Sequence, residues 1–145
     1  MSDPTGVVRE GYDRIAEDYL RVRRADDPDI RLVRDLADRL APASRALDAG
    51  CGAGWPIAAL LAERLTVTGI DLSRAQVRLA TGNVPGSSFA VADLRRLPFG
   101  DDAFAATVSI YALIHVPRED HPAALAELRR AGAAGGAAAP ADRAP

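Results

Sequence analysis

Apolar positions along the chain keep a helical period at first, and from Ser44 onward they alternate between short runs and helical stripes. Val8, Tyr12, Ile15 and Tyr19 fall at spacings of four, three and four, which predicts an amphipathic helix over 7–24. Asp27 can cap a second helix whose first turn holds Pro28. Ile30, Val33, Leu36, Ala37 and Leu40 continue its period, and Pro42 lies just past its end. The run from Ser44 to Gly50 is short, apolar and closed by glycine, so it reads as a strand. A helix follows over Pro56 to Leu65. The β-branched run from Thr66 to Asp71 reads as a second strand, and Ser73 then caps a helix starting with Arg74. A third strand is expected over Ser87 to Asp93 and a fourth within Ala103 to Leu113, with a helix over Glu119 to Arg130.

Strands that alternate with helices pair in parallel, joined by right-handed crossovers. The class is therefore α/β, with 1–43 contributing N-terminal helices and 44–130 the core of one domain over 1–130. Residues 131–145 break the pattern, with no leucine, isoleucine, valine or aromatic among them. A segment of alanine, glycine and proline buries too little apolar surface to offset its ordering entropy, and 131–145 is expected to be a disordered tail.

Composition narrows the function classes. The 145 residues carry a net charge of −2, and every cationic side chain among the 18 is arginine. There is no basic stripe for a phosphate backbone, so no nucleic-acid partner is expected. No apolar run reaches bilayer length, and the N-terminus lacks the pattern of a signal peptide, which leads to an expectation of no membrane partner and a cytoplasmic location. One cysteine, Cys51, excludes an internal disulfide. With His115 and His121 it forms no metal-ligand spacing, so no metal is expected.

The chemistry gathers at the end of the first strand. Gly50, Gly52 and Gly54 let the backbone turn sharply and let a ligand come close. The dinucleotide fingerprint G-x-G-x-x-G is not met, because its third glycine falls one place early and Trp55 stands where it belongs. Asp48 would also repel a pyrophosphate, whereas a cationic amino group would suit it. Asp71 ends the second strand, where a carboxylate can accept from ribose hydroxyls. Asp93 ends the third and can accept from an exocyclic amine, with Leu72 and Leu94 placed to flank a flat base. Three aspartates thus stand at the carboxyl ends of three successive strands, the rim where doubly wound sheets bind ligands.

These residues, as "LDAGCGAG", "GIDLS" and "VADLRRLPF", resemble the class I S-adenosylmethionine-dependent methyltransferases in their small-molecule branch. "FAATVSIYALIHV" and "YDRIAEDY" add to the likeness, which runs from about Tyr12 to Arg130. The resemblance implies a Rossmann-like fold, S-adenosyl-L-methionine as cofactor and a small-molecule acceptor. It implies that Gly50, Cys51, Gly52 and Gly54 pass under the methionine part of the cofactor and that Asp48 lies near its amino group. Asp71 would hold the ribose. Asp93 would bind the adenine amine, with Leu72 and Leu94 against the ring. Ser109 would meet the methionine end, and Tyr19 would close over the cofactor from the N-terminal helix. His115 is the candidate base for an acceptor that must lose a proton.

The chain departs from the family after Arg130, where a fifth strand and two more normally follow. The expected sheet therefore stops at four strands, ordered 3-2-1-4. Its fourth strand would be left as an apolar edge, a candidate surface for a homodimer. The late strands shape the acceptor pocket in the family. Two readings follow: a methyltransferase acting on a small molecule, and a catalytically silent remnant that binds cofactor or dimerises.

Overall fold

Backbone pairing joins five parallel strands in the order β3-β2-β1-β4-β5 in the computed structural model, which describes residues 28–110 and 112–141. The strands are β1 (Arg45–Ala49), β2 (Thr66–Asp71), β3 (Ser88–Val91), β4 (Phe104–Ile110) and β5 (Gly132–Ala141). The helices are α1 (Pro28–Asp38), α2 (Ile57–Ala62), α3 (Arg74–Asn83) and α4 (His121–Ala131). The predicted helix over 7–24, and Tyr19 with it, lies outside the described residues.

Central parallel strands are covered on both faces, and β1 shows this directly, with all but Arg45 buried. Its side chains alternate between two cores. Ala46 joins Val33, Leu36, Ile57 and Leu61 beneath α1 and α2. Leu47 and Ala49 join Ile70, Leu94, Phe104 and Leu128 on the side of α4. β4 starts with Phe104 on the α4 side, passes a register irregularity between Phe104 and Ala106, and then sends Ala106, Val108 and Ile110 to the other core. The predicted helix cap is present, since the Ser73 hydroxyl accepts from Gln76 N–H at 3.1 Å. At the far end of α4, Arg130 donates to the carbonyls of Phe99 and Leu97, and Glu127 accepts from Leu97 N–H at 2.7 Å. These bonds tie the loop before β4 to α4 and so set where β4 begins.

The tail differs from expectation. Residues 132–141, expected to lie outside the sheet, form β5, parallel to β4 with Ala106 facing Ala137 and Ile110 facing Ala141. Strand order 3-2-1-4 holds, but the sheet has a fifth member and β4 is not an edge. The free edge expected to serve a homodimer is therefore covered along 106–110. The physical reason is that strand pairing uses backbone N–H and C=O groups, which alanine and glycine supply as well as valine does. Only the side-chain signal for a strand is missing from this segment.

Strand order reverses between β1 and β4. Successive strands run outward from β1 through β2 to β3, and the chain then crosses to the other side of β1. The loops leaving the carboxyl ends of β1 and β4 diverge there, which is where open α/β sheets form a crevice.

Candidate functional site

The loop after β1 is built by internal hydrogen bonds. The N–H groups of Gly50 and Cys51 both donate to the carbonyl of Ile70, each at 2.8 Å. Gly52 N–H donates to Asp71 Oδ2 at 2.9 Å, and Gly54 N–H to the carbonyl of Cys51 at 3.1 Å. The loop is thus folded onto the end of β2, and its donors are turned inward. A phosphate cradle needs those N–H groups pointing out. Their inward bonding agrees with the sequence argument against a pyrophosphate.

Two of the glycines are required by the protein itself. Gly50 has φ +85°, and a Cβ on it would overlap the Cβ of Ala112, which follows β4. Gly54 has φ +84°, and its Cβ would stand 3.2 Å from the Cα of Ala80 on α3. Gly50 thus brings the β1 and β4 loops together at the switch point, and Gly54 lets α3 lie close to the loop.

Three acidic residues are spaced along this rim. Asp48 pairs with Gly69 across β1 and β2, and Asp71 pairs with Val91 across β2 and β3, so Asp48, Asp71 and Asp93 follow one another along the carboxyl ends of adjacent strands. Asp48 is fully buried. Asp71 is half-buried and bridges two segments, accepting from Gly52 through Oδ2 and from Ser73 N–H through Oδ1 at 2.9 Å. Cys51 lies buried beside both: burial, and then the charges of Asp48 and Asp71, push its thiol far above the usual range. It stays protonated, a packing group rather than a nucleophile.

His115 ends a single 3-10 turn after β4, Leu113–His115, and is half-buried. Burial pushes its imidazole below the usual value, and the nearby charge of Asp71 opposes this in part. The ring is therefore neutral at pH 7, the form a base requires. His121, at the start of α4, is half-buried, with Nε2 2.9 Å from the carbonyl of Val116.

Asp93 follows β3 and is half-buried, with both carboxylate oxygens held by Arg95. Burial raises its carboxyl, and the side-chain and backbone bonds from Arg95 outweigh that and hold it below the usual range. Leu72 is half-buried at the rim. Leu94 is buried in the core on the α4 side with Leu47 and Leu97. Ser109 is buried in β4, and its hydroxyl has no partner among the described residues.

Sequence reading missed Gln76. Its side chain is wholly buried, and neither amide atom has a partner among the described residues. Four residues on, Ala80 shares its helix face, and Ala80 lies against Gly54. Asn83 on the same helix donates to the carbonyl of Ala53 at 3.0 Å. Gln76 therefore sits on the face of α3 turned to the glycine loop. A glutamine early in an amphipathic helix reads as solvent-facing. The available signal was its place four residues before a small residue opposite a tight loop.

No group of three or more metal-ligating side chains, and no helix long and apolar enough to cross a membrane, occurs among the described residues.

Comparison with known proteins gives a consistent family. Residues 46–136 match the family described as "Methyltransferase domain". The chain is 37% identical over 100 residues to methyltransferase GfsG of Streptomyces halstedii, covering 62% of this chain and 36% of that protein. It is 33% identical over 128 residues to the malonyl-[acyl-carrier protein] O-methyltransferase of Erwinia pyrifoliae, covering 84% of this chain and 48% of that protein. The chain spans less than half the length of these two relatives. Among solved structures, a TehB-like SAM-dependent methyltransferase from Corynebacterium glutamicum superposes with a TM-score of 0.72 at 28% identity, over 89% of this chain and 71% of that one.

Proposed function

The chain belongs to the methyltransferase-domain family of the class I S-adenosylmethionine-dependent enzymes, and from that premise we propose that it binds the cofactor at the carboxyl rim of β1 to β4 and directs its methyl group to a small-molecule acceptor. The observation that carries this reading is the glycine loop bonded to the acid of the neighbouring strand, Gly52 N–H to Asp71 Oδ2 at 2.9 Å. That bond holds Asp71 at the end of β2 against the loop, where a carboxylate is placed to accept from ribose hydroxyls.

Each residue then has a part. The buried Asp48 carboxylate offers negative charge beneath the loop for the methionine ammonium. Gly50, Cys51, Gly52 and Gly54 form the floor under the methionine portion. Asp93 accepts from the adenine amine and Leu72 covers one face of the ring. Leu94 supports that rim from the core. The buried hydroxyl of Ser109, near the end of β4, supplies a donor for the methionine end. The cofactor, when bound, supplies an activated methyl on a sulfonium. The chain's task is to hold the acceptor in line and to take its proton, with His115 as base.

Gln76 fits the same reading. A buried amide with no partner costs about 1–3 kcal/mol, and a polar group arriving over the loop removes that cost. Gln76→Leu is expected to raise the stability of the cofactor-free chain by about 1 kcal/mol while weakening cofactor binding roughly tenfold. Thermal unfolding and calorimetric titration, run on the same two proteins, check the two signs together. Loss of stability with unchanged affinity would remove Gln76 from the site.

The His115 role has a pH signature. The folded pKa is depressed, so between that value and the unfolded value of about 6.5 the unfolded chain binds a proton that the folded chain does not. Stability is complete above about pH 6.5 and declines as pH falls through this window. The acid limb of methyl transfer is expected below the ordinary imidazole value, and His115→Gln is expected to abolish that limb. A pH–rate profile of both proteins provides the check.

Titration of the chain with S-adenosylmethionine and S-adenosylhomocysteine tests binding, and transfer of a labelled methyl group to a panel of small acceptors tests turnover. Heat on titration without any transfer would favour the silent cofactor-binding reading. No heat with either ligand would defeat both.

A further inference from the structure

Asp93 is held more tightly than a residue at a strand end needs to be. Its Oδ1 accepts from the backbone N–H of Arg95 at 2.8 Å and from Arg95 Nε at 3.1 Å, and its Oδ2 accepts from Nη2 at 2.7 Å. The Asp93 carbonyl also accepts from Arg96 N–H at 3.1 Å. The remaining arm of the guanidinium, Nη1, donates to Asp120 Oδ2 at 2.9 Å, immediately before α4. One arginine thus links the acid after β3 to the start of α4.

The arrangement fixes geometry in addition to whatever stability the ion pairs contribute. The side chains of Asp93, Arg95 and Asp120 are 29%, 31% and 35% exposed. Ion pairs at that exposure contribute about 0–1 kcal/mol. A two-pronged guanidinium on a carboxylate does restrict geometry, because both oxygens must lie in the plane of the fork. With the backbone N–H of Arg95 also on Oδ1, the Asp93 side chain is confined to one rotamer. Arg95 takes both acceptor positions of Oδ1 and one of Oδ2, and the remaining lone pair of Oδ2 then points in a fixed direction. The fork also balances the Asp93 charge, so that setting a flat, neutral base against it exposes no bare anion.

We propose that Arg95 is a positioning residue that fixes the Asp93 carboxylate in the orientation that reads the exocyclic amine of the cofactor's base. The inference rests on the assignment of Asp93 to the adenine subsite made above and adds a residue to it. Arg95 does not touch the cofactor. It acts on the choice between a base with a 6-amino group and one with a 6-oxo group, since a carboxylate accepts from the first and repels the second. A free Asp93 could turn toward water and lose that choice.

The test measures affinity of the full chain for S-adenosylhomocysteine and for its 6-oxo, inosine-containing analogue by calorimetry. The wild type is expected to prefer the amino form strongly. Arg95→Ala is expected to lower the ratio of the two affinities about tenfold, and Arg95→Lys to restore it only in part, because an ammonium cannot grip both oxygens in one plane. Asp93→Asn is expected to abolish the preference, and adding Arg95→Ala to it should change the ratio no further. Asp120→Asn cuts the link to α4 but leaves the fork in place, so it should keep the preference. If Arg95→Ala weakens both ligands equally, or leaves their ratio unchanged, Arg95 is only a tie to α4 and the proposal fails. Should Arg95→Ala not fold, Arg95→Lys and the Asp93→Asn pair decide the matter by the same ratio. A wild type that binds neither ligand overturns the cofactor reading itself, which separates that failure from failure of the Arg95 assignment.

Discussion

Asp71→Asn is expected to weaken binding of S-adenosylhomocysteine by about 100-fold or more, the largest loss for any single atom change at the rim. Two effects add. The carboxylate of Asp71 already takes Gly52 N–H on one oxygen and Ser73 N–H on the other. An amide has one oxygen and one NH2, so one of these two donors would face another donor. Each bond to a charged acceptor is worth about 1.5–3 kcal/mol. The two ribose hydroxyls need acceptors on the same group, and an amide offers them one oxygen already in use. Losing about 3 kcal/mol from the binding free energy corresponds to a little over two decades in Kd. Calorimetric titration measures this. The His115 resonance provides an internal check, because the charge of Asp71 raises its pKa. In Asp71→Asn the His115 pKa should move further down. A variant with normal affinity and an unmoved histidine would show that Asp71 holds the loop and nothing else.

The parts of the fold legible in the sequence are those where side chains carry the signal. The second strand was read as Thr66–Asp71, and its observed bounds are the same, because β-branched residues fill it and an acid ends it. Ser73 was read as a cap from its place before an apolar stripe, and it caps. The fifth strand was not legible, since its pairing is a property of the backbone while its residues are alanine, glycine and proline. The register irregularity in β4 also lay beyond reach: it puts Phe104 in one core and Ala106 in the other, against simple alternation.

The site divides in the same way. Asp48, Asp71 and Asp93 were legible because each lies at or beside the carboxyl end of a strand in one alternating pattern. Leu94 was read as a rim residue from its neighbour Asp93. Its partners are Leu47 and Leu97, and spacing of three along a turn-rich loop gave no hint of that. Gln76 and Arg95 were passed over because glutamine and arginine most often face solvent. What identifies them is what they touch or fail to touch: a buried amide without a partner in one case, a planar fork on a single carboxylate in the other. Polar residues that are structurally conspicuous but ordinary in sequence are the ones that pattern reading overlooks.

Gly50→Ala is expected to reduce stability by about 3 kcal/mol and to abolish measurable cofactor binding in the fraction that folds. At φ +85° an alanine pays about 1–2 kcal/mol for a conformation that L side chains avoid. Its Cβ would overlap the Cβ of Ala112, and overpacking of this kind costs about 1–3 kcal/mol more. The strain has two ways out, and both damage the site. If Ala112 retreats, the turn that carries His115 moves with it. If the β1 loop retreats, the paired bonds from Gly50 and Cys51 to the Ile70 carbonyl break, and Gly52 leaves Asp71. For a chain of this length the stability loss corresponds to a fall in Tm of roughly 10 °C. Gly100→Ala is the matched control: a Cβ there meets nothing within 4 Å, and the change should stay within about 0.5 kcal/mol of wild type. Thermal unfolding of the two variants side by side separates a loop that must be glycine from a chain that is merely sensitive to substitution. Equal Tm values for Gly50→Ala and Gly100→Ala would show that the β1 and β4 loops do not meet at Gly50, and the crevice argued for the cofactor would lose its floor.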